Sequence, residues 1–232
     1  MTDVVAVVGG CGGAGGTLVA TGLALHLQAR GVPAVLLDLD PERGDLAAGL
    51  GSAGPRTIVD LLAVAEELTG DHLRSASVIH PGGLTLIPGS EGADTAGVCT
   101  VLDAILGMDD RPPLVVDAGS GATPAARRLA GLVPTLLVAP ADAAGCRVSR
   151  RTLHLLGGAP GALLVVNRGS RPDELPPRTV ARALGLPLAC VVPRAPGEAT
   201  DLAAGLPRAG RRARLSEAMR ELAEALAAGD AA

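Results

Sequence analysis

The sequence predicts an α/β domain with a doubly wound, mostly parallel sheet. Short apolar runs alternate along the chain with amphipathic segments of helix length, which is typical of strand–helix–strand units. The apolar runs are continuous, as expected of strands that helices cover on both faces. The predicted strands are residues 4–8, 34–39, 84–87, 114–116, 136–138, 163–166 and 188–192. The predicted helices are residues 17–30, 57–69, 94–107, 122–132, 143–157 and 175–185.

No repeat or low-complexity linker divides the chain, so we expect one domain, residues 1–208, with a C-terminal helix and tail, 209–232, that belong to it. Apolar residues recur at helical spacing in the segment 211–228, at Leu215, Met219, Leu222 and Leu226. A membrane-surface helix favours a basic face and bulky aromatic residues, whereas this segment mixes Glu with Arg. We therefore expect it to pack against the domain or a partner, with membrane contact at most peripheral.

The composition excludes several kinds of chemistry. The 232 residues carry a net charge of −4, include no Phe, Tyr or Trp, and contain 20 basic residues that are all Arg. The chain therefore lacks aromatic platforms for stacking bases, and its acidity argues against sequence-specific binding of nucleic acid. Without Lys, it also lacks a Schiff-base amine and a lysine that grips phosphate.

The metal-ligating and targeting signals are weak. The four Cys and four His residues are scattered, with no CxxC pair, which argues against a zinc site and favours reduced thiols in a cytoplasm. No segment has the pattern of a signal peptide or the length of a membrane span. We expect a cytoplasmic protein.

The first predicted strand runs into a glycine-rich turn that has two interpretations. Residues 10–15 read G-x-G-x-x-G, the dinucleotide fingerprint, for which Asp38 would contact a ribose. Residues 10–17 also read as a phosphate loop, G-x-x-x-x-G-K-T, in which Gly16 replaces the lysine. In both interpretations the glycines let backbone N–H groups surround a phosphate at the positive end of a helix.

Polar residues at the ends of later strands favour a magnesium nucleotide site. Asp38 and Asp40 follow the second strand, and paired carboxylates can hold metal-bound water or orient an attacking water. Asp117 follows a buried apolar strand and precedes a glycine turn, as in a Walker B motif, although Asp also caps helices. Asn167, the only Asn, ends another strand, where its amide matches the donor and acceptor of an adenine edge or forms a turn.

Together these residues resemble the MinD/ParA family of deviant-Walker P-loop ATPases, of the SIMIBI class, from Val4 to about Leu226. The motifs K-G-G-x-G-K-[ST], D-x-D-P, L-x-x-L-P and V-V-N-R of the family are similar to residues 11–17, 38–41, 84–88 and 165–168. Within the family the chain is most similar to the CpaE/TadZ branch, including actinobacterial CpaE-like and septum-site-determining proteins, through Ala-rich segments such as 180–188.

The resemblance implies a role for each matching residue. The backbone of the phosphate loop would be Gly12, Gly13, Ala14, Gly15 and Gly16. Thr17, Asp38 and Asp117 would serve the magnesium ion. Asp40 would assist the attacking water, and Asn167 would contact the adenine.

Both lysines of the family loop are replaced, by Cys11 and by Gly16. A hydrogen bond to a charged group is worth about 1.5–3 kcal/mol, so losing one phosphate contact weakens binding by roughly 10- to 150-fold. Hydrolysis needs a positive charge that is already in position for the transition state. We therefore expect weak nucleotide binding and weak or absent hydrolysis.

The resemblance further implies ATP or ADP with Mg²⁺ as cofactors and a homodimer. The expected role is a localisation or assembly factor for Flp/Tad-type pilus or secretion machinery, with a pilus or secretion ATPase as partner, or a factor in septum placement. One alternative is an active ATPase that cycles between monomer and dimer, with Arg43, Arg147 or Arg168 replacing the lysines. Another is an NAD(P)-dependent oxidoreductase. A lowered thiol pKa at Cys11, near a helix N-terminus, would add a redox switch.

Overall fold

A sheet of buried strands organises the structure, a computed structural model that describes residues 3–40, 46–52, 54–90, 92–169, 173–206 and 213–229. The strands are β1 (Val4–Gly9), β2 (Val35–Asp38), β3 (Val78–Ile79), β4 (Thr85–Ile87), β5 (Leu114–Ser120), β6 (Thr135–Pro140), β7 (Leu163–Asn167) and β8 (Leu188–Val192). Their order is β3-β4-β2-β5-β1-β6-β7-β8, and among these neighbours β3–β4 alone is antiparallel. The predicted single-domain, doubly wound α/β fold is confirmed.

Helices cover both faces of this sheet. They are α1 (Gly16–Ala29), α2 (Leu46–Gly49), α3 (Gly70–Ala76), α4 (Thr95–Leu106), α5 (Pro124–Leu129), α6 (Ala143–Leu155), α7 (Pro177–Leu184), α8 (Pro196–Ala203) and α9 (Arg214–Gly229), with a 3₁₀ helix at Ile58–Glu67. Helices α1, α2, α8 and α9 share one apolar core with the sheet, and the others share a second. Because both strand faces are buried, the strands are continuously apolar, as the sequence predicted.

One sequence-based prediction needs correction, and several short elements were not predicted. Residues 57–69 were expected to form an α-helix, but the segment is the 3₁₀ helix Ile58–Glu67, interrupted at Val64, where φ is −123° and ψ is 15°. Val has a low helix propensity because its β-branched side chain crowds the preceding turn. The helices α2, α3 and α8 and the two-residue strand β3 were not predicted, because elements this short carry little periodicity.

Helix α9 packs against the domain itself. Its apolar positions Leu215, Met219 and Leu222 are buried, and the helix contacts α1 and β8. A Cβ added to Gly22 of α1 would lie 2.8 Å from the Met219 Sδ, so the two helices approach closely at this glycine. The packing predicted for the C-terminal helix is therefore confirmed, although residues 211 and 212 lie outside the described residues. No helix in the described parts of the chain is long and apolar enough to cross a bilayer.

We expect Leu222→Ala to lower the free energy of unfolding by about 2–5 kcal/mol, because truncating a buried Leu leaves a cavity. Leu222 has no exposed surface in the contact between α9 and the sheet. The matched control is Leu132→Ala, at a side chain that is 62% exposed; there we expect a change within about 0.5 kcal/mol. Urea denaturation measures both, and equal losses would contradict the packing of α9.

Candidate functional site

The turn between β1 and α1 encloses a cavity of about 180 Å³, lined largely by its own backbone. Helix α1 begins at Gly16, no side chain caps its N-terminus, and its first turn holds no acidic residue. Gly13 and Gly15 have φ values of 74° and 93°, a left-handed conformation that glycine adopts without strain. The first N–H groups of α1 and its positive dipole end are thus arranged to receive an anion. We call this space the phosphate cavity.

Contacts from α6 and β6 fix the shape of this loop. The Gly10 N–H donates to the Val138 carbonyl at 2.8 Å, and the Thr152 hydroxyl donates to the Gly10 carbonyl at 2.9 Å. A Cβ added to Gly10 would lie 2.3 Å from the Ser149 Oγ, so no side chain fits there. These contacts therefore hold the start of the loop against β6 and α6.

Asn167 holds the other end of the loop. Its amide Nδ2 donates to the Ala14 carbonyl at 2.9 Å, and a Cβ added to Gly15 would come within 2.3 Å of the same nitrogen. Asn167 also borders a neighbouring cleft of about 460 Å³, whose lining includes Cys11, Asp142 and Glu174. In this structure Asn167 positions the loop, and its contact with adenine stays a prediction.

Among the described residues, three oxygen-bearing side chains line the phosphate cavity, those of Thr17, Asp40 and Ser120. The Asp40 carboxylate packs against Gly119, where an added Cβ would lie 3.0 Å from the Asp40 Cγ. Hydroxyl and carboxylate oxygens are ligands that Mg²⁺ accepts together with phosphate oxygens and water, so this donor set fits the ion. Sequence reasoning did not place Ser120 here, although it follows the glycine turn after Asp117.

Asp38 and Asp117 lie beneath the cavity rather than in its lining. They are register partners at the ends of β2 and β5, and they are 1% and 2% exposed. The Asp38 carboxylate accepts from the N–H groups of Asp40 and Leu46, at 3.1 and 3.3 Å. Asp117 Oδ1 accepts from the Gly119 N–H at 3.1 Å. Both carboxylates therefore support the loops that carry cavity residues, and their role toward magnesium stays a prediction.

The pKa of Asp38 is raised to about 7, chiefly by burial and also by the negative charges of Asp117 and Asp40, while the hydrogen bonds from the backbone N–H groups of Asp40 and Leu46 oppose the rise. The Asp38 carboxyl thus binds a proton more readily than an ordinary aspartate does. A cation beside Asp38 and Asp117 would instead lower the pKa of Asp38.

No basic side chain of the described residues lines either the phosphate cavity or the cleft. The Arg168 Nε pairs with the Glu174 Oε2 at 2.8 Å, and Arg147 lies exposed on α6, whereas Arg43 lies outside the described residues. At Gly16, where the family loop has a lysine, an added Cβ would lie 3.1 Å from the Gly9 N. The described cavity therefore offers backbone amides but no side-chain cation to a phosphate.

The structure argues against two of the alternatives that the sequence left open. Burial and the charge of Asp142 raise the pKa of the Cys11 thiol, which lies ahead of α1 rather than at its first N–H groups. The dinucleotide interpretation places β2 next to β1, but here β5 lies between them, so Asp38 does not adjoin the glycine turn as a ribose ligand must. Asp142 and Glu174 were not foreseen, because neither lies in a recognisable motif.

No group of three or more His, Cys, Asp or Glu residues forms a ready metal cluster among the described residues. Any magnesium here would therefore depend on phosphate oxygens and water as well as on protein oxygens.

We expect the Asp38 carboxyl to make the protein less stable as pH rises from about 4 to about 7. Its pKa is higher in the folded chain than in the unfolded one, so within this window the folded state binds more protons, and unfolding becomes easier as pH increases. Asp38→Asn should remove this part of the pH dependence. Urea denaturation between pH 4 and 8 measures it, with exposed Asp109→Asn as control; the same slope in wild type and Asp38→Asn would contradict the assignment.

The chain is similar in sequence to two curated relatives. No protein-family model matches it. An uncharacterized protein of Mycobacterium tuberculosis is 34% identical over 229 residues, or 94% of this chain and 62% of the relative. The antiactivator FleN of Pseudomonas aeruginosa is 32% identical over 128 residues, or 51% of this chain and 43% of FleN. The chain thus spans less than two thirds of the length of either relative.

Solved structures show the fold. A ParA family ATPase from Chlorobium tepidum superposes with a TM-score of 0.80 at 17% identity, covering 97% of this chain and 99% of that one. The septum site-determining protein MinD of Pyrococcus horikoshii, complexed with Mg-ADP, gives 0.76 at 21% identity, covering 97% and 95%. A chain of the MinC:MinD cell division protein complex of Aquifex aeolicus gives 0.76 at 20% identity, covering 97% and 96%. The chain therefore has the fold of the MinD/ParA P-loop ATPases.

Proposed function

We propose that this chain is a MinD/ParA-family protein of the CpaE/TadZ-like branch whose phosphate loop binds ATP or ADP with Mg²⁺ weakly and hydrolyses ATP weakly or not at all. The fold, the glycine loop at the start of α1 and the oxygen ligands around the cavity support nucleotide binding. The Mg-ADP complex of the structural neighbour from Pyrococcus horikoshii supports the choice of ligand.

The observation that carries the proposal is a phosphate cavity that keeps its backbone shape without a basic side chain among its described lining residues. Backbone N–H groups and the helix dipole attract an anion, so binding survives in weakened form. Phosphoryl transfer depends more strongly on a positioned cation, which is worth about 10³ to 10⁵ in rate. The nearby acidic groups Asp38, Asp40 and Asp117 oppose negative charge further unless a divalent ion offsets them.

In this proposal each residue has a distinct role toward a bound nucleotide. Backbone from Gly12 to Gly16 surrounds the phosphates, and Thr17 and Asp40 present oxygens to the ion. Bound Mg²⁺ supplies positive charge next to the phosphates. Asp38 and Asp117 hold the two loops, and Asn167 fixes the path of the phosphate loop while its carbonyl oxygen accepts from a base.

The biological role we propose is positioning rather than catalysis: a localisation or assembly factor for Flp/Tad-type pilus or secretion machinery, or for septum placement. Structural neighbours include a septum site-determining protein and a MinC:MinD complex, which supports a role through a protein partner. We propose a homodimer in the cytoplasm, at most peripheral to the membrane, with a pilus or secretion ATPase as partner. The domain comprises residues 1–208 with its C-terminal helix and tail, 209–232.

Gly16→Lys tests whether the loop binds phosphate. We expect it to raise the affinity for Mg-ATP by roughly 10- to 150-fold, the worth of one charge-assisted hydrogen bond. Its control is Gly16→Ala, which adds the same Cβ near the Gly9 N without the ammonium group. Isothermal titration calorimetry compares both variants with wild type; if Gly16→Lys and Gly16→Ala bind ATP equally, the loop is not a phosphate site.

ATP turnover tests the second half of the proposal. We expect little or no phosphate release by the wild-type chain, and no further loss in Asp40→Ala. Turnover as fast as in family members with both lysines, abolished by Asp40→Ala, would establish an active ATPase instead. Stabilisation by NAD but not by Mg-ATP in a thermal-shift assay would overturn nucleoside triphosphate binding altogether.

A further inference from the structure

A concentrated basic surface covers the outer sides of α6 and α7, which contact each other. These helices contribute five exposed arginines and no acidic residue: Arg147, Arg150, Arg151, Arg178 and Arg182. None of the five forms an ion pair with another described residue. We call this surface the basic face. Two apolar side chains on α6 interrupt it, Val148 at 47% exposure and Leu155 at 49%.

A complementary surface lies on the 3₁₀ helix Ile58–Glu67. Its exposed side presents the carboxylates of Glu66 and Glu67 and that of Asp60, which also accepts from the Thr57 N–H at 2.7 Å, and we call it the acidic face. Two apolar side chains, Val59 and Leu62, are also 37% and 40% exposed there. The two faces therefore match in both charge and apolar content. Arg with apolar side chains is a composition typical of protein interfaces, whereas phosphate backbones are contacted by cations and polar groups.

The charge distribution selects the partner. The chain is acidic overall at −4 although α6 and α7 add five positive charges, so the rest of the chain carries more acidic than basic residues. A long polyanion or an anionic bilayer extends far beyond one patch, so the acidic residues around the basic face would repel it. A second copy places its acidic face, a carboxylate cluster of limited extent, against the basic face. Its own basic face then contacts the acidic face of the first copy.

The position of the two faces allows this exchange. Both lie on the helical layer that covers one side of the sheet, because the inner residues Ile58, Leu61, Cys146 and Leu153 belong to the same core. Within the layer they are separated: the 3₁₀ helix packs on α4, and α6 packs on β6 and α7. A two-fold axis between two copies pairs each basic face with the acidic face of the other, which gives a closed dimer.

We propose that two copies of this chain associate through the basic face of one and the acidic face of the other, without nucleotide. None of the residues of either face lines the phosphate cavity, although Val148 of the basic face borders the neighbouring cleft.

Sedimentation velocity of the full chain in EDTA tests the proposal. We expect a dimer at low ionic strength that dissociates as salt is added, because exposed charge pairs are screened. Arg147→Glu with Arg151→Glu should weaken dimerisation at least about 10-fold, and Glu66→Arg with Glu67→Arg should do the same, because each creates like-charge contacts. An equimolar mixture of the two double variants should restore the dimer, since their altered and native faces are again complementary.

The matched control is Arg30→Glu with Arg194→Glu, two exposed arginines outside both faces whose reversal changes the net charge by the same amount. It should dimerise like wild type, and circular dichroism should show every variant folded. A monomeric wild type up to its solubility limit, or a mixture that stays monomeric, would overturn the proposal. So would binding of phosphatidylglycerol vesicles or duplex DNA by wild type that is lost in Arg147→Glu with Arg151→Glu while no dimer forms.

Discussion

The candidate site depends on one close packing contact, that between the backbone of Gly10 and the side chain of Ser149. Where no Cβ fits, the chain leaving β1 can lie against α6, and Thr152 then donates to the same backbone. Asn167 secures the far end of the loop through Ala14. With both ends held by neighbouring elements, the intervening glycines adopt left-handed conformations in one arrangement, and the N–H groups at the start of α1 face a cavity rather than solvent at large.

The site combines an anion-binding backbone with carboxylates and no described cation. The carboxylates also affect one another: the pKa of the buried Asp38 is raised to about 7, chiefly by burial and also by the charges of Asp117 and Asp40. In an intact P-loop, a lysine and a metal ion offset the negative charge of carboxylates and phosphates together. Among the described residues, the cavity itself offers a phosphate only backbone N–H groups and the dipole of α1.

Several parts of the site could be predicted from the sequence because they depend on strand ends. A continuous apolar run predicts a buried strand, and Asp40, Asp117 and Asn167 each follow one, so their gathering at one sheet edge could be foreseen. What each side chain does there could not. Asp38 accepts from the Leu46 N–H, and Asn167 donates to the Ala14 carbonyl. The partner in each case lies in a segment that the tertiary fold, and not the local sequence, brings close. Glu174 and Asp142 enter the cleft for the same reason. In the fold, the 3₁₀ helix was mistaken for an α-helix because the two share an amphipathic pattern over short lengths.

The contact between Gly22 and Met219 has a consequence for how the protein is made. Helix α1 follows the phosphate loop directly, but one side of it is covered by α8 and α9, which are the last two of the described elements to be translated. Until α8 and α9 emerge from the ribosome, the apolar side of α1 that faces Leu202 and Met219 stays open. The loop can thus be synthesised long before the helix behind it is held in place, so an anion-binding cavity of fixed shape is a property of the finished domain and not of its nascent first half.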